Sequence, residues 1–371
     1  MPFTVTPWDV EGTVDYDKLI KKFGTKPITP DLLKKLARYK QLPALLRRGF
    51  FFSHRDLDLV LKDVETGKSF FLYTGIALGG SMHVGHLIPF LISKWFQDAF
   101  KVNCYIQIPD EEKFLARGIP LEKIDEIVAD NLLDIAAVGF DPNRTFVFQN
   151  REYAGHLYEP AVKIAKKVTS STARAVFGFT NKTNIGWMFY PAMQMVPTFF
   201  ESRRCLIPAG IDQDNYWRVQ RDLAEGLGGK KAAAIHNKFL PPLTGMGGKM
   251  SSSARGQNAI FLSDSPAEVK SKIMKHAFSG GGGSLEEHRK HGGRPEVDVA
   301  YQWLHTLFEE SDAKIKSLEK GYRSGKITTG EMKLHLIKKL NTFLAQHKKG
   351  RQPAQVKKLK YTGRLAKKMW E

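Results

Sequence analysis

Short apolar runs alternate with helical periodicity through the middle of the chain. Four continuous runs stand at 70–74, 104–108, 145–149 and 205–210. Between the first two, apolar residues recur at helical spacing on one face: Val84, Leu87, Ile88, Leu91, Ile92, Trp95 and Phe96. Continuous apolar strands joined by amphipathic helices are typical of a parallel sheet covered on both faces. The pattern predicts an α/β domain built from βαβ units, in which Pro89 either delays the start of the first helix or kinks it.

Both ends of the chain depart from this pattern. Residues 1–66 contain five prolines and one amphipathic stretch, predicted to be a short helix capped at Thr29, and they indicate an N-terminal extension packed on the α/β domain. Strand-like runs are missing from residues 266–352, where helical faces predict an all-α domain. Residues 353–371 interleave basic with apolar side chains, which predicts a helical tail that packs back on the body. The α/β domain then spans 67–265.

The composition excludes several classes of protein. Of the 371 residues, 42% are apolar and 11% aromatic, which supplies a large core and excludes global disorder. No apolar run approaches the roughly 20 residues that cross a bilayer, so we expect a soluble cytoplasmic protein without a membrane partner. Cys104 and Cys205 are too few for a disulfide framework, and reduced thiols are expected. The 57 Lys and Arg against 38 Asp and Glu leave a net charge of +19, which favours a polyanionic partner such as nucleic acid.

The most informative segment follows the first predicted strand. Tyr73, Thr74 and Gly75 end that strand, and the sequence His83-Val84-Gly85-His86 opens the next helix. At such a junction, free backbone amides and the positive end of the helix dipole attract anions, and glycine lets the backbone approach them closely. Two histidines three positions apart share one face of a helical turn and can donate to phosphate oxygens. Alternatively, the histidines only cap and pack.

A second segment, Gly247-Gly248-Lys249-Met250-Ser251-Ser252-Ser253, follows the last strand-like run. Its lysine offers a mobile positive charge, and its successive amides and hydroxyls can wrap a polyphosphate. An ordinary solvated surface loop is the alternative for this segment taken alone. The two segments together favour a nucleotide site.

HVGH followed by KMSSS resembles the paired signature sequences of class I aminoacyl-tRNA synthetases. The stretch AGIDQDNYWRVQRDLA at 209–224, with PWDVEGTVDYDKLIKKFG, LRRGFFFSHRDLDLVL, HAFSGGGGSLEEHRKHGG and VDVAYQWL, is similar to tryptophanyl-tRNA synthetases of the eukaryotic and archaeal type. These motifs span nearly the whole chain. The second signature departs from the class form, because it lacks a second lysine.

The resemblance implies a Rossmann-like parallel-sheet catalytic domain over 67–265 with an all-α C-terminal anticodon-binding domain over 266–352. It implies the ATP- and Mg²⁺-dependent formation of tryptophanyl adenylate from L-tryptophan, and transfer of the amino acid to tRNA(Trp). We expect Mg²⁺ to arrive on ATP, with no metal site on the protein. A homodimer is also implied. Within the helical domain, the resemblance singles out no base-reading residue beyond Asp298, which lies in a motif-like stretch.

The resemblance also assigns roles to individual positions. Those implied to be catalytic are His83, His86 and Lys249. Those implied to bind ATP are Thr74, Gly75, His83, Gly85, His86, Lys113, Lys249, Met250, Ser251 and Ser252. Those implied to bind tryptophan are Tyr73, Gln107, Glu112, Gln194 and Gln213. Indole offers one N–H donor and no acceptor, so its site needs an acceptor in an apolar slot. The alternatives are a plain core role for Tyr73, a solvated Gln194, and a solvated charge pair between Glu112 and Lys113.

Three rival functions remain at this stage. A tyrosyl-tRNA synthetase shares both signatures, although the IDQDNYWR stretch and the N-terminal extension argue against it. A synthetase-like RNA-binding protein without catalysis is disfavoured by the joint presence of His83, His86 and Lys249. A small-metabolite nucleotidyltransferase would not need the helical domain. Asp212 and Asp214 have metal-ligand chemistry, but Asp212 is interpreted as structural.

Overall fold

A computed structural model of the protein describes residues 4–5, 10–11, 14–77, 79–248, 250 and 258–371. Within these ranges the strands are β1 Thr4–Val5, β2 Val10–Glu11, β3 Lys26–Pro27, β4 Phe51–Arg55, β5 Phe70–Gly75, β6 Cys104–Ile108, β7 Thr145–Gln149, β8 Arg204–Gly210 and β9 Ala233–Asn237. The first two strands, β1 and β2, pair with each other in antiparallel fashion. The other seven form one sheet in the order β3-β4-β9-β8-β5-β6-β7.

Five neighbouring strands of the large sheet, β9 to β7 in that order, run parallel. In chain order they give the doubly wound arrangement 3-2-1-4-5, with β5 as the first strand. The order in which strands are added reverses between β5 and β8, and α/β folds bind ligands at the carboxyl ends of the strands at such a point. The predicted Rossmann-like α/β class is confirmed. Strands β4 and β3 extend the sheet in antiparallel fashion and come from the N-terminal extension.

Helices of the N-terminal extension and of the α/β region are α1 Tyr16–Phe23, α2 Pro30–Ala37, α3 Ala44–Arg47, α4 Leu57–Glu65, α5 Ile88–Phe100, α6 Glu112–Arg117, α7 Leu121–Ala137, α8 Ala154–Ala165, α9 Ser170–Phe177, α10 Ile185–Met195 and α11 Asp214–Leu223. Short 3₁₀ turns lie at Val84–Leu87, Val196–Phe199, Ile211–Gln213 and Glu225–Leu227.

The C-terminal part is helical throughout. Its helices are α12 Pro266–His276, α13 Leu285–His291, α14 Val299–Trp303, α15 Asp312–Arg323, α16 Thr329–Gly350, α17 Pro353–Lys357 and α18 Arg364–Trp370, with π-helical turns at Leu304–Phe308 and Lys358–Thr362. Among the described residues, no helix combines the length and apolar character needed to cross a membrane.

Two helix starts follow directly from the sequence. The Thr29 side chain accepts from the backbone N–H of Leu32 at 3.3 Å, so α2 begins where the cap predicts. The 3₁₀ turn at Val84–Leu87 precedes α5, and Pro89 falls in the first turn of that helix. A proline is tolerated there because its missing N–H would have no intrahelical partner. The helix therefore starts late instead of kinking.

One continuous core joins the sheet to the helical domain. It contains both Ile106 of β6 and Trp303 of α14, and the indole N–H of Trp303 donates to the backbone carbonyl of Pro241 at 2.9 Å. Asp298 is buried at the start of α14, where it accepts from the hydroxyl of Tyr322 at 2.7 Å. This aspartate organises the inside of the helical domain and does not face solvent.

Arg48 and the C-terminal tail tie the outer segments to this core. The Arg48 guanidinium donates to the backbone carbonyls of His305 and Glu309 at 2.7 and 2.6 Å, at the π-helical turn. At the other end, Trp370 packs edge-on against Tyr153, with ring centroids 4.9 Å apart. The tail therefore lies against the α/β region near β7.

Candidate active site

A cavity of about 550 Å³ opens at the carboxyl ends of β5, β6 and β8. This volume is typical of a small-molecule site. Every predicted site residue within the described ranges lines it: Tyr73, Thr74, Gly75, His83, Gly85, His86, Gln107, Glu112, Lys113, Gln194, Gln213 and Met250. Predicted residues Lys249, Ser251 and Ser252 lie outside the described residues. The cavity thus brings together positions that are more than 170 residues apart in the chain.

The HVGH segment forms a compact turn on one side of the cavity. His83 is the N-cap of the 3₁₀ turn and is 4% exposed. Nδ1 of His86 accepts from the backbone N–H of His83 at 3.1 Å, and the two rings stack with centroids 3.4 Å apart. An Nδ1 that accepts from a backbone N–H places the proton of the neutral imidazole on Nε2. The two histidines cap the turn, which was one of the alternatives raised by the sequence, and they also line the cavity.

Met250, the described residue of the second signature, lies against the first signature. A methyl carbon of Met250 lies 2.5 Å from the position that a Cβ on Gly85 would take, so any side chain at Gly85 would meet Met250. Farther along, the backbone N–H of Val84 donates to the carbonyl of Ile260 at 3.0 Å, and that of Leu262 donates to Met82 at 3.0 Å. These bonds fix the segment after the second signature beside the HVGH turn.

Gly75 allows β5 and β6 to approach at the floor of the cavity. In the parallel register Gly75 lies opposite Gln107. A Cβ on Gly75 would lie 2.7 Å from the backbone oxygen of Gln107, closer than real contacts allow. Next to it, Thr74 is buried, and its hydroxyl donates to the carbonyl of Pro208 on β8 at 3.3 Å.

Two buried polar groups face each other at the inner end of the cavity. The hydroxyl oxygen of Tyr73 lies 2.5 Å from Oε1 of Gln107 and 3.0 Å from the backbone carbonyl of Gln194. Burial raises the pKa of Tyr73 well above its ordinary value, so its hydroxyl keeps its proton. When that proton is donated to a protein oxygen, the lone pairs of Tyr73 and Gln107 are available to a donor between them. Tyr73 therefore belongs to the cavity as well as to the core.

Further polar side chains line the same pocket. Nε2 of Gln194 donates to Oε1 of Gln213 at 3.3 Å, and Nε2 of Gln213 donates to Asp212 at 3.4 Å. Glu112 is 3% exposed, and its carboxylate lies 2.8 Å from Nζ of Lys113. The pair is therefore held in the site, in contrast to the alternative of a solvated charge pair.

Aromatic residues that the sequence analysis did not single out form the walls. They are Trp187, Tyr190, Tyr216 and Trp217. The rings of Tyr73 and Trp217 meet edge to face with centroids 5.7 Å apart. Burial raises the pKa of Tyr190 and of Tyr216 well above the ordinary value, so both walls are neutral. Such walls suit a flat aromatic ligand.

Three further polar residues near the cavity were also missed. Asn150 and Lys238 each come directly after a strand, β7 and β9 respectively, and Glu111 comes three residues after β6. Burial lowers the pKa of Lys238, which lines the cavity. A polar residue just past the carboxyl end of a predicted strand was the available signal for Asn150. No such signal existed for Lys238, because β9 itself was not predicted.

A buried ion pair supports the turn that carries Gln213. Arg55 on β4 donates to both carboxylate oxygens of Asp214 at 2.6 and 2.7 Å, and Nε2 of His236 lies 3.3 Å from the same carboxylate. Burial acts to raise the pKa of Asp214, but the hydrogen bonds from Arg55 and His236 outweigh it and lower the pKa to about 2. Asp214 is thus a structural carboxylate. Across the part of the chain that the structure describes, no three His, Cys, Asp or Glu side chains are grouped to hold a metal ion.

Comparison with known proteins places the chain among synthetases. The sequence profile of the family described as "tRNA synthetases class I (W and Y)" matches residues 65–345. The tryptophan–tRNA ligase of Sulfurisphaera tokodaii is 57% identical over 373 residues, covering 99% of this chain and 98% of that one. The corresponding ligase of Saccharolobus solfataricus is 57% identical, covering 100% and 98%.

Solved structures agree with the sequence matches. The crystal structure of Plasmodium falciparum tryptophanyl-tRNA synthetase superposes with a TM-score of 0.89 at 38% identity, covering 95% of this chain and 99% of that one. The family predicted from the two signatures and the longer motifs is therefore confirmed. The chain belongs to the class I tRNA synthetases for tryptophan and tyrosine, and within them to the tryptophan–tRNA ligases.

Proposed function

We propose that this chain activates L-tryptophan with ATP to form tryptophanyl adenylate and pyrophosphate, and then transfers tryptophan to tRNA(Trp). The observation that carries the proposal is the buried pair Tyr73 and Gln107 at the floor of an aromatic-walled cavity beside the HVGH turn. The indole ring can donate one hydrogen bond through its N–H and cannot accept any, and the oxygen atoms of Tyr73 and Gln107 can accept from that N–H. Sequence similarity to tryptophan–tRNA ligases supports the same assignment.

The indole would lie between the aromatic walls with its N–H directed at Tyr73 and Gln107. Phenylalanine fills less of such a slot and offers no ring N–H, so the buried oxygens would be left unpaired. A site built to satisfy a substrate donor rejects analogues that lack it. Tyrosine offers its hydroxyl at a different position from the indole nitrogen, and it is also disfavoured.

The amino acid head group would lie at the polar end of the pocket. The carboxylate of Glu112 would accept from the ammonium group, and Gln194 with Gln213, which are hydrogen-bonded to each other, would orient the ammonium and carboxylate. In the first step a carboxylate oxygen of tryptophan attacks the α-phosphorus of ATP. A new C–O–P linkage forms as the bond from the α-phosphorus to the bridging oxygen breaks, and pyrophosphate leaves.

The phosphate end would lie at the HVGH turn. The side chains of His83 and His86 would hold phosphate oxygens at this turn, and Thr74, Gly75, Gly85 and Lys113 would border the nucleotide. Lys249, Met250, Ser251 and Ser252 of the second signature would complete the ATP site. ATP would enter as its Mg²⁺ complex, so the metal is part of the substrate and draws negative charge from the phosphates. Protein groups then act mainly by positioning and by charge stabilisation.

A ribose hydroxyl of the tRNA's terminal adenosine would next attack the carbonyl carbon of the adenylate, releasing AMP. The helical residues 266–352 would read the anticodon, and exposed lysines would contact the RNA backbone, consistent with the net charge of +19. We further propose a homodimer acting in the cytoplasm, where ATP and tRNA are both present.

Exchange of labelled pyrophosphate into ATP tests the activation step. We expect exchange with tryptophan and negligible exchange with tyrosine or phenylalanine. Gln107→Leu should raise the KM for tryptophan by about 10- to 100-fold, the usual effect of losing one buried hydrogen bond. Gln97→Leu is the matched control, because Gln97 is also 1% exposed but bonds to Thr145 on the other side of the sheet. Exchange with tyrosine and not with tryptophan would overturn the proposal.

A further inference from the structure

A chain of buried amide groups leads from Gln107 away from the cavity. Nε2 of Gln107 donates to Oδ1 of Asn150 at 2.8 Å and to the backbone carbonyl of Met193 at 3.2 Å. Nδ2 of Asn150 in turn donates to Oε1 of Glu111 at 2.7 Å. Gln107 and Asn150 are each 1% exposed, so water has little access to the bond between them. This series of hydrogen bonds ends at the carboxyl group of Glu111, 39 residues before Asn150 in the sequence.

The donor-to-acceptor direction of these hydrogen bonds determines which atom of the Gln107 amide faces Tyr73. A primary amide has a donor end and an acceptor end of nearly the same shape, so a flip exchanges them without steric cost. The donor end of Gln107 has two acceptors, the backbone carbonyl of Met193 at 3.2 Å and Oδ1 of Asn150 at 2.8 Å, and the shorter bond exists only while Asn150 presents its oxygen. Asn150 presents its oxygen only while its own nitrogen has an acceptor, and Glu111 supplies that acceptor. Each amide is therefore oriented by the next group along the chain.

We propose that Asn150 and Glu111 are positioning residues for tryptophan recognition: they hold the Gln107 amide with its oxygen toward the indole N–H. This inference rests on the proposed function, because it assigns Oε1 of Gln107 to the substrate. Neither Asn150 nor Glu111 lies on the surface of the substrate cavity, so both act through Gln107 and do not touch tryptophan.

The state of Glu111 fits this role. Burial raises its pKa to about 7, although the hydrogen bond from Asn150 acts in the opposite direction. Oε2 of Glu111 is buried and has no hydrogen-bond partner among the described residues, so the side chain is not held by a competing ion pair through that atom. Whether ionised or protonated, a carboxyl group retains an oxygen that accepts from Asn150.

The test compares tryptophan with L-3-benzothienylalanine, in which sulfur replaces the ring N–H at nearly unchanged shape. Pyrophosphate exchange gives kcat and KM for each. In the wild type we expect kcat/KM for tryptophan to exceed that for the analogue by at least tenfold. Glu111→Met and Asn150→Leu remove acceptors, so they should lower this ratio about tenfold. Most of the loss should be a higher KM for tryptophan, with the analogue changed less than about threefold.

Conservative variants at the same positions should rescue recognition. Glu111→Gln keeps an acceptor for Asn150, and Asn150→Asp keeps an acceptor for Gln107, so both should hold the ratio within about threefold of the wild type. Both Glu111 and Asn150 are tested, so that if a variant at one position fails to fold, the other position still decides the question. Thermal melting checks that each variant is folded.

Glu201→Met is the matched control. Glu201 accepts from Nδ2 of Asn103 at 2.8 Å, and this second amide–carboxylate pair lies at the amino end of β6, away from the cavity. It should leave the ratio unchanged. Equal losses for both substrates in Glu111→Met and Asn150→Leu, or an unchanged ratio, would overturn the inference. Absence of tryptophan-dependent exchange in the wild type would instead overturn the proposed function, and this inference with it.

Discussion

Replacing Asp214 by asparagine removes one charge from the buried cluster that supports the Gln213 turn. The Asp214 side chain is 0% exposed, and that of its bidentate partner Arg55 is 12% exposed. The same guanidinium also donates to the backbone carbonyl of Gly24 at 3.2 Å, so it joins the N-terminal extension to the first residue of α11. Asp214→Asn preserves shape and leaves the Arg55 charge without its counter-ion.

The magnitude follows from burial and from the pKa. Breaking a buried ion pair by removing one partner costs about 3–5 kcal/mol, because the remaining charge is uncompensated. The gap between the ordinary pKa of 3.8 and about 2 in the fold corresponds to about 2 kcal/mol. Asparagine can still accept one hydrogen bond from Arg55, so we expect the free energy of unfolding to fall by about 2–4 kcal/mol at pH 7.

The sign of the pH dependence is fixed by the lowered pKa of Asp214. Its stabilising contribution is fully present above pH 3.8, the ordinary value, and is lost as the pH falls through about 2. The difference between wild type and Asp214→Asn should therefore stay constant from pH 7 to pH 5 and shrink below pH 4.

Urea unfolding followed by circular dichroism at several pH values measures this difference. Asp222→Asn is the control, because Asp222 is exposed on the same helix and its replacement should change stability by less than about 0.5 kcal/mol. If Asp214→Asn were as stable as the wild type at pH 7, or if its deficit were the same at pH 3, the buried ion pair would not support this turn.

Three further predictions concern the second signature, the strand floor and the domain contact. Lys249→Ala should depress adenylate formation at least tenfold while leaving the Kd for tRNA nearly unchanged; equal exchange activity would contradict a phosphate role. Gly75→Ala should cost about 1–3 kcal/mol and more than tenfold in kcat/KM, because its Cβ would meet the backbone of Gln107 at 2.7 Å; a wild-type melting temperature would refute this. Arg48→Ala should lower the free energy of unfolding by about 3 kcal/mol through lost bonds to the π-helical turn, whereas exposed Arg38→Ala should not; calorimetry distinguishes them.

The sheet was predictable where side chains themselves favour strands. The four predicted runs correspond to β5, β6, β7 and β8, which are rich in Phe, Tyr, Val and Ile. Strand β9 was not predicted, because its residues Ala233–Asn237 begin with two alanines of low strand propensity. It forms because β8 and β4 pair with its two edges, and β4 is about 180 residues distant in the chain. That pairing is tertiary information, which a local pattern does not contain.

The site was predictable to the extent that motifs mark it. The family resemblance named every described polar residue of the cavity to which a substrate role is proposed, whereas the aromatic walls Trp187, Tyr190, Tyr216 and Trp217 were missed. The residues that orient Gln107 were missed, because their importance lies in hydrogen bonds between segments that meet only in the fold. Asn150 contacts Gln107 across 43 positions of sequence. The hydrogen bonds from Gln107 through Asn150 form only because the strands β6 and β7 lie next to each other in the sheet.

Charging of total tRNA by the purified chain is the direct test of the proposed tryptophan–tRNA ligase activity. Each of the twenty amino acids is supplied in labelled form with ATP and Mg²⁺, and the acid-precipitable label on tRNA is measured. We expect that tryptophan alone is attached, and that the label is confined to tRNA(Trp). Attachment of tyrosine in place of tryptophan, or no attachment of any amino acid by a folded protein, would contradict it.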